Sequence, residues 1–413
     1  MISYLKALSV INNNSLKIKD ELISIKNSLN RIASKEVIST SDYPADDNTA
    51  FDGYAVNSKE TKNTTQKFRI LKTLAAGDNP QIKKVPKFSC IEVMTGAVIK
   101  KPFDTIIPIE DIKFYPNTKK PNFIIVSKKN KKSQFIRFKG SDYKRGQSIV
   151  KKGELITPAH ILSLKTLGID KILVKKKINI VFYPSGNELS EQSNIPSWKI
   201  RNSNTIYLNS LIKSLPINLK IKKILRDNDS KLFEKQISQH IYSSTDIIIT
   251  SGAISKGKFD FIPNVINKFK FKDKFKGVAI RPGKPIMFTK FSNNSCFFGL
   301  PGNPISSVAC FRFFVIPFLF KSLGLNDEKP IYAKLKNNFY KKKNFTRFIK
   351  GKLTFNKKGV AQFEVFRGQE SYKIKPFVKS NAWGVFKGGT ALFNRGNPIE
   401  CYSASGFNEL LIR

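Results

Sequence analysis

The sequence predicts a multidomain protein of the α/β plus β class, built around a central, doubly wound parallel α/β domain. Strand-like and helix-like runs alternate between residues 176 and 326, which is typical of a parallel sheet with helices on its faces. Short apolar runs separated by turns fill 45–140 and 327–413, which indicates two further β domains. The chain has 413 residues, enough for about two to four domains.

The N-terminal region is predicted to be helical. Between residues 4 and 40, apolar side chains recur at helical spacing, among them Ala7, Leu22 and Ile32. The segment 141–175 favours helix again, most clearly over 158–167. We therefore predict an elongated linker domain formed by 1–44 and 141–175, into which a small β domain at 45–140 is inserted.

The central domain is predicted to span 176–326, and a C-terminal β domain is predicted to span 327–413. The expected strands are 178–183, 219–225, 246–250, 278–280 and 296–299, and the expected helices are 203–215, 232–242, 261–269 and 305–323. The most apolar run, 311–320, contains Arg312 and Pro317, so it is expected to be a buried helix rather than a membrane span.

The net charge of +43 is extreme. It indicates either nucleic-acid binding or compositional drift. Drift is favoured because the lysines are scattered through every segment instead of forming one stripe, so nucleic acid is not expected as a partner. The chain shows no apolar run long enough for a bilayer and no signal-peptide layout. A cytoplasmic location without membrane attachment is therefore expected.

The few cysteines and histidines limit the chemistry further. Four cysteines lie far apart in the sequence, and there are only two histidines. These numbers do not favour a disulfide framework, a histidine-rich zinc site or a Ser-His-Asp triad. Any metal is expected to be a hard cation that carboxylates hold.

Two glycine-rich turns each follow an apolar, strand-like run. Ser251 and Gly252 form the first turn, and Pro301, Gly302 and Asn303 form the second. Ligands of open α/β sheets bind at the carboxyl ends of the strands. Glycine lets the backbone approach an anion, and free N–H groups at the start of a helix favour phosphate. The two turns therefore predict a site for a phosphate-bearing ligand.

Charged side chains are expected at the same edge of the sheet. Glu188 follows the first strand, Lys256 and Asp260 follow the first turn, and Arg281 and Lys284 follow the strand at 278–280. The cations suit phosphate or another oxyanion. Ordinary alternatives stay open, because Glu188 could support a helix N-terminus and a lysine on so basic a chain is more often solvated than functional.

Three further candidates precede the central domain. Asp52 lies in a stretch dense in turn formers, Thr95 lies in a tight turn after a short strand, and Asp142 lies in a glycine-flanked loop. A functional role and a plain turn are both open for each of them.

Taken in order, these segments resemble the molybdopterin molybdenumtransferase family over nearly the whole chain. The matching motifs are Asp47-Asn48-Thr49-Ala50-Phe51-Asp52-Gly53-Tyr54-Ala55, Met94-Thr95-Gly96-Ala97, Gly140-Ser141-Asp142, Ser185-Gly186-Asn187-Glu188-Leu189, Asn202-Ser203-Asn204, Thr250-Ser251-Gly252, Arg281-Pro282-Gly283-Lys284-Pro285 and Leu300-Pro301-Gly302-Asn303-Pro304. Each motif alone is weak or moderate, but the ordered set at family-like spacing is specific.

The resemblance implies the fold, the reaction and the site. It implies four domains per subunit and a homodimer whose active cleft lies between the α/β domain of one subunit and the β domains of the other. Molybdate and adenylylated molybdopterin are the implied substrates, AMP is the implied product, and Mg²⁺ is the implied cofactor. The implied catalytic carboxylates are Asp52, Asp142, Glu188, Asp227 and Asp260, of which Glu188, Asp227 and Asp260 hold the metal. The implied substrate-binding residues are Thr95, Ser251, Gly252, Arg281, Lys284, Pro301, Gly302, Asn303 and Ser371.

Some positions depart from the family pattern. Ala253 stands where the family has a second glycine, and the lysine expected shortly before Val278 has no clean match. The C-terminal basic position fits either Arg347 or Lys350. Two other functions therefore stay open: molybdopterin adenylyltransferase, which performs the preceding step and is also a candidate partner, and a non-catalytic anion-binding or scaffold protein on the same fold. The extra domains at both ends argue against the adenylyltransferase.

Overall fold

The computed structural model describes residues 1–119, 121–255, 257 and 260–404. Its centre is a sheet of six strands. The strands lie in the order Ile217–Ile221, Ile178–Pro184, Ile247–Ser251, Cys296–Leu300, Met287–Phe291 and Phe271–Lys276. The first four run parallel, and the last two join them antiparallel.

Helices cover both faces of this sheet, as the doubly wound prediction requires. Ile180 and Phe182 face one core with the helices Ser203–Ile212 and Pro304–Leu323. Val181 and Tyr183 face a second core with the helices Ser230–Ile241 and Ile262–Ile266. Neighbouring residues of one strand thus point to opposite layers, which is the two-residue repeat of a strand buried on both sides. The predicted fold class is confirmed.

One predicted strand of the central sheet is wrong. The segment at 278–280 ends in the two-residue strand Ile280–Arg281, which pairs with Thr346–Phe355 of the C-terminal sheet. The two strands that occupy this part of the central sheet, Phe271–Lys276 and Met287–Phe291, were not predicted. The first is an edge strand with only Phe275 buried, so its alternating lysines resemble a solvated loop in the sequence.

The helix Pro304–Leu323 is long and apolar enough, by length and composition, to cross a membrane, but most of its residues are buried inside the protein. It consists of Pro304–Cys310, a π-helical turn at Phe311–Val315 and Ile316–Leu323. The Phe313 ring stacks on Phe348 with 3.9 Å between ring centroids. This helix therefore joins the central domain to the C-terminal sheet, as expected of a buried core helix.

The single helix expected over 4–40 is wrong beyond residue 13. The helix Tyr4–Asn13 ends in a run of asparagines, which are poor helix formers because their side chains compete for backbone groups. The strand Asp20–Ser24 follows and pairs antiparallel with Lys171–Lys175. The remaining elements of this region are Ile25–Asn27, Val37–Ile38, Ser148–Val150 and the predicted helix, which spans Pro158–Thr166.

The segment 45–140 contains a second six-stranded sheet. Its strands lie in the order Thr105–Pro108, Gly53–Val56, Ser89–Val93, Gln66–Leu74, Phe123–Val126 and Lys113–Tyr115. Two short strands, Asn48–Thr49 and Ile136–Arg137, pair beside it. The β structure predicted for this segment is confirmed.

The C-terminal region forms a closed set of five strands. They are Thr346–Phe355, Ala361–Val365, Ile331–Leu335, Pro398–Ser403 and Ala382–Phe386. The first and last of these pair directly, which closes the sheet into a small barrel. Phe363 and Phe386 fill its interior. Short elements at Phe339–Tyr340, Leu392–Phe393 and Lys375–Lys379 lie outside it.

Candidate functional site

A cavity of about 400 Å³ opens at the carboxyl ends of the parallel strands. We call it the carboxylate cavity, because Glu188, Asp227 and Asp260 line it. The sequence-predicted residues Gly252, Pro301, Gly302 and Asn303 also line it. The strands Ile247–Ser251 and Cys296–Leu300 deliver both glycine-rich turns to this edge, as the sequence analysis expects.

The backbone of the first turn depends on glycine. Gly252 has a φ of 105°, and a side-chain carbon there would overlap the carbonyl oxygen of Ser185. Its N–H donates to the carbonyl oxygen of Leu300 at 2.9 Å. The next residue, Ala253, also adopts a left-handed conformation, with a φ of 52°. Glycine adopts this conformation freely, whereas a residue with a Cβ such as Ala253 adopts it at a cost of about 1 kcal/mol.

Asn204 ties the two turns together. Its Nδ2 donates to Ser251 Oγ at 2.7 Å and to the Gly302 carbonyl oxygen at 2.9 Å. Ser251 itself is buried, so it supports the cavity from behind rather than lining it. Asn204 lies in one of the family-like motifs but was not predicted as a site residue, because its bonds to Ser251 and Gly302 span 47 and 98 positions.

Ser185 is a second residue of the site that was not predicted from the sequence. It is only 2% exposed, and its Oγ has no hydrogen-bond partner among the described residues. It lines the carboxylate cavity. An unpaired buried hydroxyl costs free energy unless a ligand or water satisfies it. The sequence feature that could have indicated Ser185 is its position directly after the first strand of the parallel sheet, where ligands bind.

The three carboxylates share a cavity without forming a preformed metal site. Asp260 Oδ2 accepts from the Gly257 N–H at 2.6 Å, and Asp227 Oδ2 accepts from Asn187 Nδ2 at 2.7 Å. Among the described residues, no three His, Cys, Asp or Glu side chains lie close enough to hold a metal ion. Mg²⁺ usually keeps several waters and binds through one or two carboxylates plus substrate phosphates. The oxygen donors present fit such a cation.

A second cavity of about 680 Å³ adjoins the first. We call it the arginine cavity, because Arg281 and Arg347 line it together with Lys284 and Ser371. Pro285 lines both cavities. Nδ2 of Asn303, a carboxylate-cavity residue, also donates to Ser371 Oγ at 3.3 Å. The two cavities therefore form one continuous cleft between the central domain and the C-terminal barrel.

The two arginines of this cavity face each other across paired strands. Arg281 and Arg347 are register partners. Burial, and then the positive charge of Arg281, lower the pKa of Arg347. Arg347 Nε is buried and has no hydrogen-bond partner among the described residues. A half-buried guanidinium beside a like charge is stabilised by an anion, and its planar fork suits phosphate or another oxyanion.

Lys350, the other candidate for the C-terminal basic position, has a different role. It is 1% exposed, and its Nζ donates to the carbonyl oxygens of Glu370 and Lys373, each at 3.1 Å. Burial lowers its pKa to about 8. Arg347 therefore faces the arginine cavity, whereas Lys350 holds the loop that carries Ser371.

Asp52, Thr95 and Asp142 line neither cavity of this chain. Asp52 Oδ1 accepts from the Thr95 N–H at 2.6 Å and from Thr95 Oγ1 at 2.8 Å. These hydrogen bonds lower the pKa of Asp52, with the backbone bond the larger cause. Asp142 is exposed in the loop that follows Gly140. Lys256, which the sequence analysis placed at the rim, lies outside the described residues.

Three family models match consecutive parts of the chain. The model described as MoeA N-terminal region (domain I and II) matches residues 2–168. The probable molybdopterin binding domain matches residues 183–321, and the MoeA C-terminal region (domain IV) matches residues 332–403. The three matches follow the order of the inserted, central and C-terminal sheets.

Curated relatives and solved structures agree with these matches. A molybdopterin molybdenumtransferase of Synechocystis sp. is 30% identical over 406 residues, which cover 97% of this chain and 99% of the relative. A molybdopterin molybdenumtransferase of Staphylococcus epidermidis is 28% identical, and the match covers 100% of this chain and 98% of the relative.

The structure of a molybdopterin biosynthesis protein from Pyrococcus horikoshii matches with a TM-score of 0.80. It covers 98% of this chain and 100% of that chain, and at 23% sequence identity it shows the shared fold. The family models, the full-length relatives and the fold agree, so the chain belongs to the molybdopterin molybdenumtransferase family.

Proposed function

We propose that this chain inserts molybdate into adenylylated molybdopterin and releases AMP. The observation that carries the proposal is the continuity of the two cavities, because it joins carboxylates, anion-binding cations and close-approach backbone turns in one cleft. In this reaction the pyrophosphate link breaks, and an oxygen from water or molybdate completes the phosphate of the departing AMP. The dithiolene sulfurs bind the molybdenum in place of molybdate oxygens, which leave as water. Its relatives carry the name of this activity.

The arginine cavity suits the anionic oxygens of the substrates. Arg281 and Arg347 offer guanidinium groups to phosphate or molybdate oxygens, and Lys284 adds a third positive charge. The Ser371 hydroxyl, which the Asn303 amide contacts, lies where the two cavities meet. Gly252 and Gly302 let the backbone approach the pyrophosphate from the other side.

The carboxylate cavity suits a hard divalent cation that arrives with the phosphate. We propose Mg²⁺ as the cofactor, with Glu188, Asp227 and Asp260 as the residues that would hold it, directly or through water. The cation would stabilise the negative charge that develops on the phosphate oxygens. Asp260 and Asp227 are oriented for this by the Gly257 N–H and the Asn187 amide.

The proposed active form is a cytoplasmic homodimer with four domains per subunit, divided at 1–44 with 141–175, 45–140, 176–326 and 327–413. Asp52 and Thr95 are bonded to each other away from both cavities. We propose that they and Asp142 complete the cleft of a second copy. The adenylylated substrate must come from an adenylylating enzyme, which is therefore the proposed partner.

The activity is tested by incubating the protein with magnesium, molybdate and adenylylated molybdopterin and measuring AMP. Release of AMP that requires molybdate supports the proposal. Formation of the adenylylated species from molybdopterin and ATP would support the adenylyltransferase instead. Substrate binding without any turnover, beside an active relative, would support a scaffold.

The shared cleft is tested by mixing two inactive variants, Asp52→Asn and Asp260→Asn. If each cleft uses Asp260 of one subunit and Asp52 of the other, a mixed dimer keeps one intact cleft. Random mixing then restores about a quarter of the wild-type rate, because half of the dimers are mixed and each has one working cleft. No recovery, with mixed dimers shown by mass, would place both residues in the same subunit's cleft.

A further inference from the structure

A third concave surface, of about 700 Å³, lies at the opposite end of the central sheet. It forms where the strands Ile178–Pro184, Ile247–Ser251 and Cys296–Leu300 begin, since Lys177, Asp246 and Ser295 line it. Six lysines line this surface, which we call the lysine cavity: Lys17, Lys19, Lys176, Lys177, Lys272 and Lys290. Asp246 is its one acidic residue among those described.

The backbone brings these lysines together from distant parts of the chain. The N–H of Lys176 donates to the carbonyl oxygen of Lys19 at 2.9 Å, so the pairs at 17–19 and 176–177 lie side by side. Lys290 is 5% exposed, and its Nζ donates to the Asn294 carbonyl oxygen at 2.7 Å. Lys272 Nζ donates to Asn294 Oδ1 at 2.9 Å. The concentration of lysine here is therefore a property of the fold and not of one sequence run.

Four of the six ammonium groups have no protein partner within the described residues. Lys17, Lys19, Lys176 and Lys177 make no side-chain hydrogen bond and no ion pair there. Nearby acids are already engaged, since Asp246 Oδ2 accepts from the Asn179 N–H at 2.8 Å. Burial raises the pKa of Asp246.

The local counter-charge does not balance the lysines. Two helices, Tyr4–Asn13 and Ser230–Ile241, end at this surface, and each C-terminus contributes roughly −0.5 charge. Asp246, which lines the cavity, and Asp273, which accepts from Asn14 Nδ2 at 2.8 Å, bring the offset to about three of the six positive charges. This leaves an excess of roughly +3. Side chains near these two helix ends donate to the last carbonyl groups. Asn14 Nδ2 donates to the Val10 carbonyl oxygen at 2.9 Å, and Ser243 Oγ donates to the His240 carbonyl oxygen at 3.1 Å.

The lysine cavity differs from the lysines scattered over the rest of this basic surface. A single lysine on a convex surface is solvated independently, whereas charges of one sign in a concave site with low-dielectric walls reinforce each other's potential. Its volume falls in the range of small-molecule sites, about 300–1,000 Å³. The five-residue strand Ile247–Ser251 separates it from the carboxylate cavity by roughly 17 Å of backbone rise, so one small ligand does not occupy both.

We propose that the lysine cavity binds a small ligand that carries several phosphate groups. A polyphosphate chain matches the excess charge and the size of the cavity, and lysine is a common phosphate ligand. The phosphates could belong to a nucleoside triphosphate or to inorganic polyphosphate. Binding here occurs at the amino end of the sheet, and the proposal does not depend on the function proposed for the carboxyl end.

The test is calorimetric titration of the full chain with inorganic tripolyphosphate, ATP and adenosine at about 0.15 M salt. The double variant Lys17→Gln with Lys177→Gln removes two unpaired ammonium groups. The matched control, Lys357→Gln with Lys358→Gln, makes the same charge change in an exposed turn of the C-terminal barrel. Arg281→Gln, made in the wild type and in each double variant, weakens binding at the arginine cavity and so shows which part of the signal comes from that cavity. Thermal melts check that each variant folds.

The expected result is that tripolyphosphate binds, that the Lys17 and Lys177 variant loses at least about tenfold in affinity, and that the control does not. Equal affinity for ATP, with none for adenosine, means that the phosphates alone are recognised, whereas tighter ATP binding points to the nucleotide as the source. An equal loss of tripolyphosphate affinity in the Lys17 and Lys177 variant and in the Lys357 and Lys358 control overturns the proposal. Binding that only Arg281→Gln weakens also overturns it. Tighter binding of a single-stranded oligonucleotide through the same lysines also overturns it, in favour of a nucleic-acid surface.

Discussion

The two halves of the proposed cleft are built in different ways. The carboxylate cavity is shaped by backbone turns at strand ends, where Gly252 and Gly302 leave room for a ligand. The arginine cavity is shaped by side chains, where Arg281 and Arg347 meet across paired strands and the buried Lys350 holds a loop. The first kind of site fails when the backbone changes. The second should keep its fold when a side chain is replaced, and its ligand binding and stability should respond to charge and pH.

The strongest test of this difference is Gly252→Ala. A methyl group would overlap the Ser185 carbonyl oxygen at a φ of 105°, so we expect a loss of about 2–4 kcal/mol in the free energy of unfolding and no detectable AMP release. Urea denaturation and the AMP assay measure the two effects.

The matched control for Gly252→Ala is Ala253→Gly, at the neighbouring left-handed residue. There the relief of strain and the added freedom of the unfolded chain nearly cancel, so stability should change by less than about 1 kcal/mol. A stable, active Gly252→Ala variant would contradict the backbone-built description.

Asp260→Asn should separate chemistry from folding within the carboxylate cavity. An asparagine oxygen still accepts from the Gly257 N–H, so the melting temperature should not change, whereas AMP release should fall on the order of 100-fold or more without the carboxylate charge. Asp229→Asn is the control, because Asp229 Oδ2 accepts from the Arg226 N–H at 2.7 Å but does not line the cavity. Equal losses in both variants would remove Asp260 from the proposed metal site.

Arg347→Met should weaken substrate binding without harming the fold. Loss of a charged hydrogen-bonding group costs about 1.5–3 kcal/mol, so KM should rise at least about tenfold, while removal of a charge beside Arg281 should leave stability equal or higher. Arg347→Lys should recover only part of the affinity, because lysine cannot bind an oxyanion in a fork.

The control for Arg347→Met is Arg367→Met, since Arg367 is exposed and does not line the arginine cavity. An unchanged KM in the Arg347→Met variant, measured in steady-state assays beside this control, would show that the arginine cavity does not bind the substrate.

Lys350→Met should change how stability depends on pH. The folded-state pKa of about 8 lies below the ordinary lysine value of 10.5, so between these values the unfolded chain binds more protons than the folded one. Stability should therefore rise with pH over this window, by up to about 3 kcal/mol from this group, and the variant should lack the rise. Urea denaturation at several pH values from 7 to 11, taken as a difference between wild type and variant, measures it. Parallel curves for the two proteins would contradict the low pKa.

The backbone-built half was also the easier half to predict from the sequence. Gly252 and Asn303 follow apolar strands, and the topology of a parallel sheet places such turns at one edge. The arginine cavity could not be predicted fully from the sequence. Whether Arg347 or Lys350 faces it depends on the register of a strand in the barrel. Ser185 and Asn204 were missed because their roles appear only when distant segments meet.

Errors in the predicted elements have similarly local causes. Apolar residues between 14 and 40 keep helical spacing, yet Leu22 is exposed on a strand and Ile32 is buried in the main core. Periodicity cannot separate these outcomes when asparagines end the helix early. The edge strand Phe271–Lys276 was not predicted because three of its six residues are lysines and only Phe275 is buried.

The helix Pro304–Leu323 begins beside the cleft and stacks its Phe313 ring on Phe348, next to Arg347. Thr346 also donates its N–H to the Ala279 carbonyl oxygen at 3.0 Å. The walls of the cleft are thus braced against each other at two points, which opposes clamshell motion between the central domain and the barrel. A cleft that is braced in this way has its width set before a ligand binds, so we expect selectivity to rest on the fit of the ligand rather than on closure around it.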